Sequence, residues 1–106
     1  MAAESTRDTD AVRPARPGDL DALLELERHC FDSDRISRRQ FRYLLTRANA
    51  TVLVIERGGR LLGDLVLLFS RATSVARLYS IAVHGEARGQ GLGRRLMKAA
   101  EGAAWA

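Results

Sequence analysis

Leu78-Tyr-Ser-Ile-Ala-Val83, followed by Arg88-Gly-Gln-Gly-Leu-Gly93 and then by an amphipathic stretch from Leu92 to Ala106, is the run on which the reading of this chain turns. The apolar first piece predicts a strand and the last a helix. The glycine-rich piece between them is then a strand-to-helix loop. Such a loop aims unpaired backbone N–H groups at a bound anion, and the positive end of the helix adds to the attraction. Arg88, Arg94 and Arg95 crowd the same turn. The chemistry implied is recognition of a phosphate-bearing cofactor. Spacing excludes two familiar anion loops. A dinucleotide fingerprint needs a third glycine where Arg94 stands, and a P-loop needs Lys and Ser/Thr after Gly93. What remains is Arg-x-x-Gly-x-Gly, from Arg88 through Gly91 to Gly93. The bland alternative is a glycine turn that only connects two elements.

Working back toward the N-terminus, Arg71 to Ser74 reads as a turn and Val75 to Val83 as the fourth strand. Leu61 to Phe69 is the third strand and Thr51-Val-Leu-Val-Ile55 the second, joined by a hairpin turn at Gly58-Gly59. Asp64 beside Gly63 interrupts the apolar run, as a bulge or a polar cleft wall. Ser37-x-x-Gln40 has the form of a capping box, and the helix it starts puts Phe41, Leu44, Leu45 and Ala48 on one side. An earlier helix starts at Pro17-Gly18-Asp19, with Asp19 and Asp21 at its positive end. Its apolar face is Leu20, Leu23, Leu24, Cys30 and Phe31. Glu27 falls inside that arc, read first as a carboxylate paired with Arg28 or another arginine, and second as one facing a substrate groove. Ala11 to Arg16 makes a short first strand, with Pro14 at an edge or near its end. Met1 to Asp10 is polar without periodicity and reads as a disordered tail. The order is β-α-α-β-β-β-α, in the α/β class with an α+β mixed sheet.

The 106 residues suffice for one domain, not two. No window approaches the length of a membrane span, and the N-terminus is polar rather than an apolar signal. With Cys30 as the single cysteine, the expectation is a cytoplasmic, reducing setting, with no membrane partner. The net charge of +4 raises nucleic-acid binding, yet the arginines are dispersed and no helix-turn-helix, zinc or base-stacking signature occurs, so no DNA is expected. Arg38, Arg39 and Arg42 form a local basic face, read as a solvated helix surface.

Against this background the chain resembles the GNAT superfamily of acyl-CoA-dependent N-acetyltransferases. Arg88-Gly-Gln-Gly-Leu-Gly93 is similar, position by position, to that family's pyrophosphate-binding motif, and Tyr79-Ser-Ile-Ala-Val-His84 to the strand that holds the pantetheine arm. Val12-Arg-Pro-Ala-Arg-Pro-Gly-Asp-Leu20 resembles the opening strand and first-helix start. Glu27-Arg-His-Cys-Phe31 with Ser37-x-x-x-Phe41 resembles enzymes that acetylate protein N-termini, ribosomal-protein alanine acetyltransferases among them. The resemblance covers residues 11–106 and implies the N-terminal two-thirds of the fold. It implies acetyl-CoA as cofactor and an amine acceptor, a small molecule or a protein N-terminus. It implies Arg88, Gly89, Gln90, Gly91, Leu92, Gly93 and Arg94 at the pyrophosphate, and the backbone of Ile81, Ala82 and Val83 along the pantetheine and the thioester oxygen.

The family continues with a further strand, helix and hairpin that complete the acceptor site and often supply a tyrosine as general acid. The expectation is therefore a truncated form with impaired activity, open to self-association through the uncovered fourth strand. On the last helix Leu92, Leu96, Ala99 and Ala103 form the buried stripe, with Trp105 on the opposite side. No catalytic group is assigned. Tyr79 and His84 are weak candidates, Tyr79 being first a packing aromatic and His84 first a polar loop residue. Ser80 is near the right level, His29 reads as an edge residue, and Cys30 as core rather than nucleophile. No metal-ligand cluster is evident. Two other classes remain open: a CoA-binding regulatory module, or a protein or RNA interaction domain without catalysis.

Overall fold

Gly58 and Gly59 both adopt positive φ, 57° and 82°, the backbone a two-residue hairpin turn requires. They join β2 (Ala50–Arg57) to β3 (Arg60–Phe69), whose apolar, β-branched sequences are buried on both faces. In the computed structural model, which describes residues 10–46, 49–70, 72 and 75–105, these two strands form the centre of a four-stranded sheet. β1 (Ala11–Pro14) flanks β2 and β4 (Ala76–Val83) flanks β3, in the order β1-β2-β3-β4, every pairing antiparallel. The helices are α1 (Leu20–Cys30), α2 (Arg38–Thr46) and α3 (Leu92–Trp105), so the order β-α-α-β-β-β-α stands.

Strand alternation divides the sheet's side chains between two layers. On one face Leu53, Ile55, Leu62, Leu65 and Leu67 pack against Leu92, Leu96 and Ala100 of α3. On the other, Val52, Val54, Leu61 and Val66 meet Leu23 of α1, Ile36, and Phe41 and Leu44 of α2. Gly63 lies where α3 presses closest: a Cβ there would stand 2.9 Å from the carbonyl oxygen of Ala82 and 3.2 Å from Leu96. Leu62, beside it, is the extra residue of a bulge opposite Ile55 and Glu56.

Local signals explain the boundaries. Ser37 and Gln40 close the capping box reciprocally: Gln40 N–H donates to Ser37 Oγ at 3.1 Å, and Ser37 N–H to Gln40 Oε1 at 2.8 Å. Asp19 does not cap α1 with its carboxylate. It accepts from the Arg16 N–H at 2.7 Å and binds Arg13 at 2.8 and 2.9 Å, closing the 3₁₀ turn Pro17–Asp19 that ends β1 early. The apolar face of α1 is rotated from the sequence expectation: Leu23, Leu26 and Glu27 are buried, while Leu20, Leu24 and Cys30 are only half-buried.

Asp10, grouped by sequence with the tail, is buried and holds Arg57 at 2.7 Å while its backbone oxygen accepts from Arg95 at 2.8 Å. Residues 1–9, Ala48, most of the turn at 71–74, and the side chains of Ala103 and Trp105 lie outside what the structure describes. No described helix is long and apolar enough to cross a membrane.

Candidate functional site

β4 is the last strand of the described sheet, so its outer edge has no neighbouring strand there. Its pairing with β3 slips between Val66, opposite Ser80, and Leu67, opposite Leu78. Tyr79 is the extra residue of this bulge and is left out of the ladder, with its ring about half exposed. From there Ile81 and Val83 turn toward the α3 side, where they pack on the aliphatic layer, and Ala82 is buried opposite Asp64.

Beyond β4 a 3₁₀ turn, Gly85–Ala87, leads into the glycine loop. Gly89 and Gly91 take φ of 82° and 76°, values that L side chains adopt only under strain, and nothing lies within 4 Å of where a Cβ would stand. Gly93 differs. Its φ is ordinary and a Cβ would make normal contact with Val83 and Ile81. The first helical hydrogen bond of α3 runs from Arg95 N–H to the Gly91 oxygen at 3.1 Å, so the N–H groups of Leu92, Gly93 and Arg94 have no partner within the helix. The open shell around the two glycines and these amides is the shape and polarity that a diphosphate requires. Leu92 enters through its backbone only, since its side chain is core.

The loop's cations are partly committed. Arg88 Nε donates to the Val83 carbonyl at 3.2 Å, and Gln90 Oε1 accepts from Arg57 at 2.8 Å. Arg95 reaches the Asp10 carboxylate at 3.8 Å. The Arg57 guanidinium holds the Asp10 carboxyl below the usual carboxylate range. Asp10 thus braces the loop from behind. Nothing in the polar N-terminal sequence signalled that role.

His84 caps the 3₁₀ turn, its Nδ1 accepting from the Glu86 N–H at 3.1 Å. Its ring stands 4.7 Å from the His29 ring, and its Nε2 lies 3.4 Å from Arg60 Nη2. At about 3.3 Å per residue, His84 is on the order of 16 Å along the strand from the bulge at Tyr79, so the two do not share one reaction centre. Between α1 and β4, Cys30 Sγ also donates to the Val83 carbonyl, at 3.4 Å. Burial raises the pKa of its thiol against the pull of Arg88, which leaves it a poor nucleophile.

The largest departure from sequence expectation is a pair of buried carboxylates. Among the described residues no arginine is in salt-bridge contact with Glu27. Its Oε2 accepts from the Ile36 N–H at 2.9 Å, and its Oε1 has no partner. Asp64 is fully buried with neither oxygen hydrogen-bonded. Burial, then the charge of Glu27, push its pKa up to about 7. Glu27 therefore pins the α1–α2 connection, and Asp64 lies behind the strand that edges the site. Among the described residues no group of three or more His, Cys, Asp or Glu is placed to hold a metal ion.

Comparison with known proteins follows the same lines. The family model described as Acetyltransferase (GNAT) family matches residues 20–106. The ribosomal-protein-S18-alanine N-acetyltransferase of Escherichia coli superposes with a TM-score of 0.79 at 19% identity, over 90% of this chain and 59% of that one. The PaiA N-acetyltransferase of Thermoplasma acidophilum, solved with coenzyme A, gives 0.82 at 17% identity, over 91% and 72%. GphF, a GNAT-like decarboxylase solved with isobutyryl-CoA, gives 0.73 at 23% identity, over 83% and 55%. The chain thus spans between half and three-quarters of the length of these structures. Among curated proteins no sequence match is found.

Proposed function

This chain belongs to the GNAT acetyltransferase family, and from that premise we propose that it binds acetyl-CoA along β4 and the glycine loop and presents the acyl group to an amine at the Tyr79 bulge. The observation that carries the reading is the loop itself: two positive-φ glycines with open space around them, followed by the unpaired amides that start α3. The backbone of Gly89 to Arg94, with the charges of Arg88 and Arg94, would hold the diphosphate. Along the β4 edge from Ile81 to Val83 the Val83 carbonyl already accepts from Arg88 and Cys30, and the remaining backbone groups would pair with the amides of the pantetheine arm as a neighbouring strand does.

Acetyl-CoA supplies an acyl group activated as a thioester. An amine must reach it without its proton, and an oriented N–H must meet the charge that grows on the carbonyl oxygen. A backbone N–H at the β4 bulge, where Tyr79 has no partner residue in the ladder, would serve that second task. The proton acceptor is left unassigned: Tyr79 is half exposed at the bulge and lines the groove toward α2, and His84 is tied into the turn below. GphF, described as a GNAT-like decarboxylase, shares this fold, so the fold by itself does not fix the reaction. A second copy pairing along β4 would occupy the edge the pantetheine needs, so self-association and cofactor binding compete in this reading.

Calorimetric titration with CoA tests the proposal through residues the structure describes. Gly91→Asp puts a carboxylate where phosphate would approach backbone; the expected loss of affinity is at least 100-fold, with a melting point lowered by several degrees through roughly 1–2 kcal/mol of backbone strain at the positive φ of this position. Unchanged affinity in that folded variant would sink the assignment.

A further inference from the structure

α2 and the N-terminal half of β4 face each other across a groove of about 180 Å³ lined by Gln40, Tyr43, Leu44, Leu68 and Tyr79. Gln40 and Tyr43 also line a larger hollow of about 500 Å³, together with Arg39, Arg42 and Thr46. Both tyrosines are exposed, Tyr43 at 57% and Tyr79 at 45%. Because Tyr79 is the bulge residue, the groove reaches the point on β4 where transfer is proposed.

The charge around it is one-sided. No Asp or Glu occurs in the sequence from Arg35 to Ile55, or from Leu65 to Gly85, the stretches in which the lining residues fall. Arg38 is the exception among its cations, being paired with Asp21 across the surface at 2.8 Å. Arg39, Arg42 and Arg77 are exposed. Gln40 spends its oxygen on the Ser37 N–H, so its amide NH₂ is left as a donor. A wall of donors, cations and two aromatic faces attracts carbonyls and carboxylates and repels ammonium groups. It also favours the uncharged form of any amine brought near it, because neighbouring positive charge disfavours protonation.

We infer that this groove seats an acidic acceptor: a peptide whose free α-amine lies at Tyr79 and whose following side chains are carboxylates set against Arg39 and Arg42. The inference rests on the acyl-transfer reading above and names the class of its acceptor. Polycationic amines are excluded by the same charges that draw the acidic chain in.

The experiment uses fluorescence anisotropy with three labelled seven-residue peptides that share an N-terminal alanine and continue with glutamates, glutamines or lysines, each with CoA present. The expected order is acidic, neutral, basic, with at least tenfold between the extremes at low salt and a smaller gap at physiological salt. Arg39→Glu with Arg42→Glu should invert the order while leaving CoA affinity unchanged. The milder pair, Arg39→Gln with Arg42→Gln, should flatten it, and guards against a folding defect in the first. Equal affinities, tighter binding of the lysine peptide, or an order that survives the double reversal would overturn the inference. So would an oligouridylate that binds as tightly as the glutamate peptide, since bare positive charge would then be the whole of the recognition. CoA titration of the same protein separates the two readings. Peptide discrimination without CoA binding removes the cofactor assignment and leaves the groove, and CoA binding without discrimination does the reverse.

Discussion

On the α3 side of the sheet Leu53, Ile55, Leu65, Leu92 and Leu96 meet as hydrocarbon alone. On the α1–α2 side Phe41, Val54 and Val66 share their layer with the carboxylates of Glu27 and Asp64. Both layers bury their residues nearly completely, so the difference is chemical rather than a matter of packing. The hydrocarbon face anchors α3, and with it the glycine loop, by forces that do not titrate. The opposite face carries groups whose cost depends on protons: Asp64 lies opposite Ala82 of β4, and Glu27 holds the Ile36 N–H between α1 and α2. The chain has put its fixed frame on one side of the sheet and its polarity on the other.

Leu96→Ala tests the hydrocarbon side and should have the largest effect. The side chain is 0% exposed, and its truncation should cost about 4 kcal/mol in urea unfolding. The loss should be the same at pH 5 and pH 8. A loss that changed strongly with pH would break the contrast.

Asp64→Asn tests the other side, and its sign is fixed by linkage. The folded chain keeps the Asp64 proton up to about pH 7, whereas the unfolded chain releases it near 3.8. Between those values the folded state binds more protons, so stability falls as pH rises through the window and levels off above about 7. At about 1.4 kcal/mol per pH unit the ceiling is roughly 4 kcal/mol. The unpaired amide of asparagine reduces the expected gain to about 2 kcal/mol at pH 8, with none at pH 4. Thermal melts across that range read it directly, and a wild-type profile flat from pH 4 to 7 would refute the assignment.

The smallest effect is expected at Glu27. Glu27→Ala leaves the Ile36 N–H unpaired and should cost about 1–2 kcal/mol. Glu27→Gln keeps an acceptor there and should stay within about 1 kcal/mol of wild type. It should also lower the pH at which Asp64 titrates, because the charge of Glu27 helps hold that proton. Carbon-detected NMR of the Asp64 carboxyl would show the shift or its absence.

Much of this frame was legible in the sequence. The hairpin at Gly58-Gly59, the capping box at Ser37 and Gln40, and the strand–loop–helix around Arg88 to Gly93 are local signals. Each is decided by residues a few positions apart, and each stands in the structure. What escaped depends on distant partners. Glu27 invited an arginine and found the Ile36 amide, nine residues on. Asp10 read as tail because its partners, Arg57 and Arg95, lie 47 and 85 residues away. The Tyr79 bulge comes from a register slip against β3, to which no residue within β4 points. Leu26 was missed because the helical face was centred on Leu20 and Leu24 rather than on Leu23 and Glu27.

The order of the strands also bears on how the chain folds. β2, β3 and β4 follow one another both in sequence and in the sheet, so short closures bring them together. β1 meets β2 only after α1 and α2 have intervened, pairing Ala11 with Glu56. Its closure is the slow, entropically demanding one. We expect the three-strand meander to be formed in the folding transition state and β1 to join after it. The clasp of Asp10 on Arg57 and Arg95 then closes last. Substitutions in β1 would accordingly speed unfolding and leave the refolding rate alone, while those in β3 would slow refolding; stopped-flow chevrons showing the opposite partition would reverse that sequence of events.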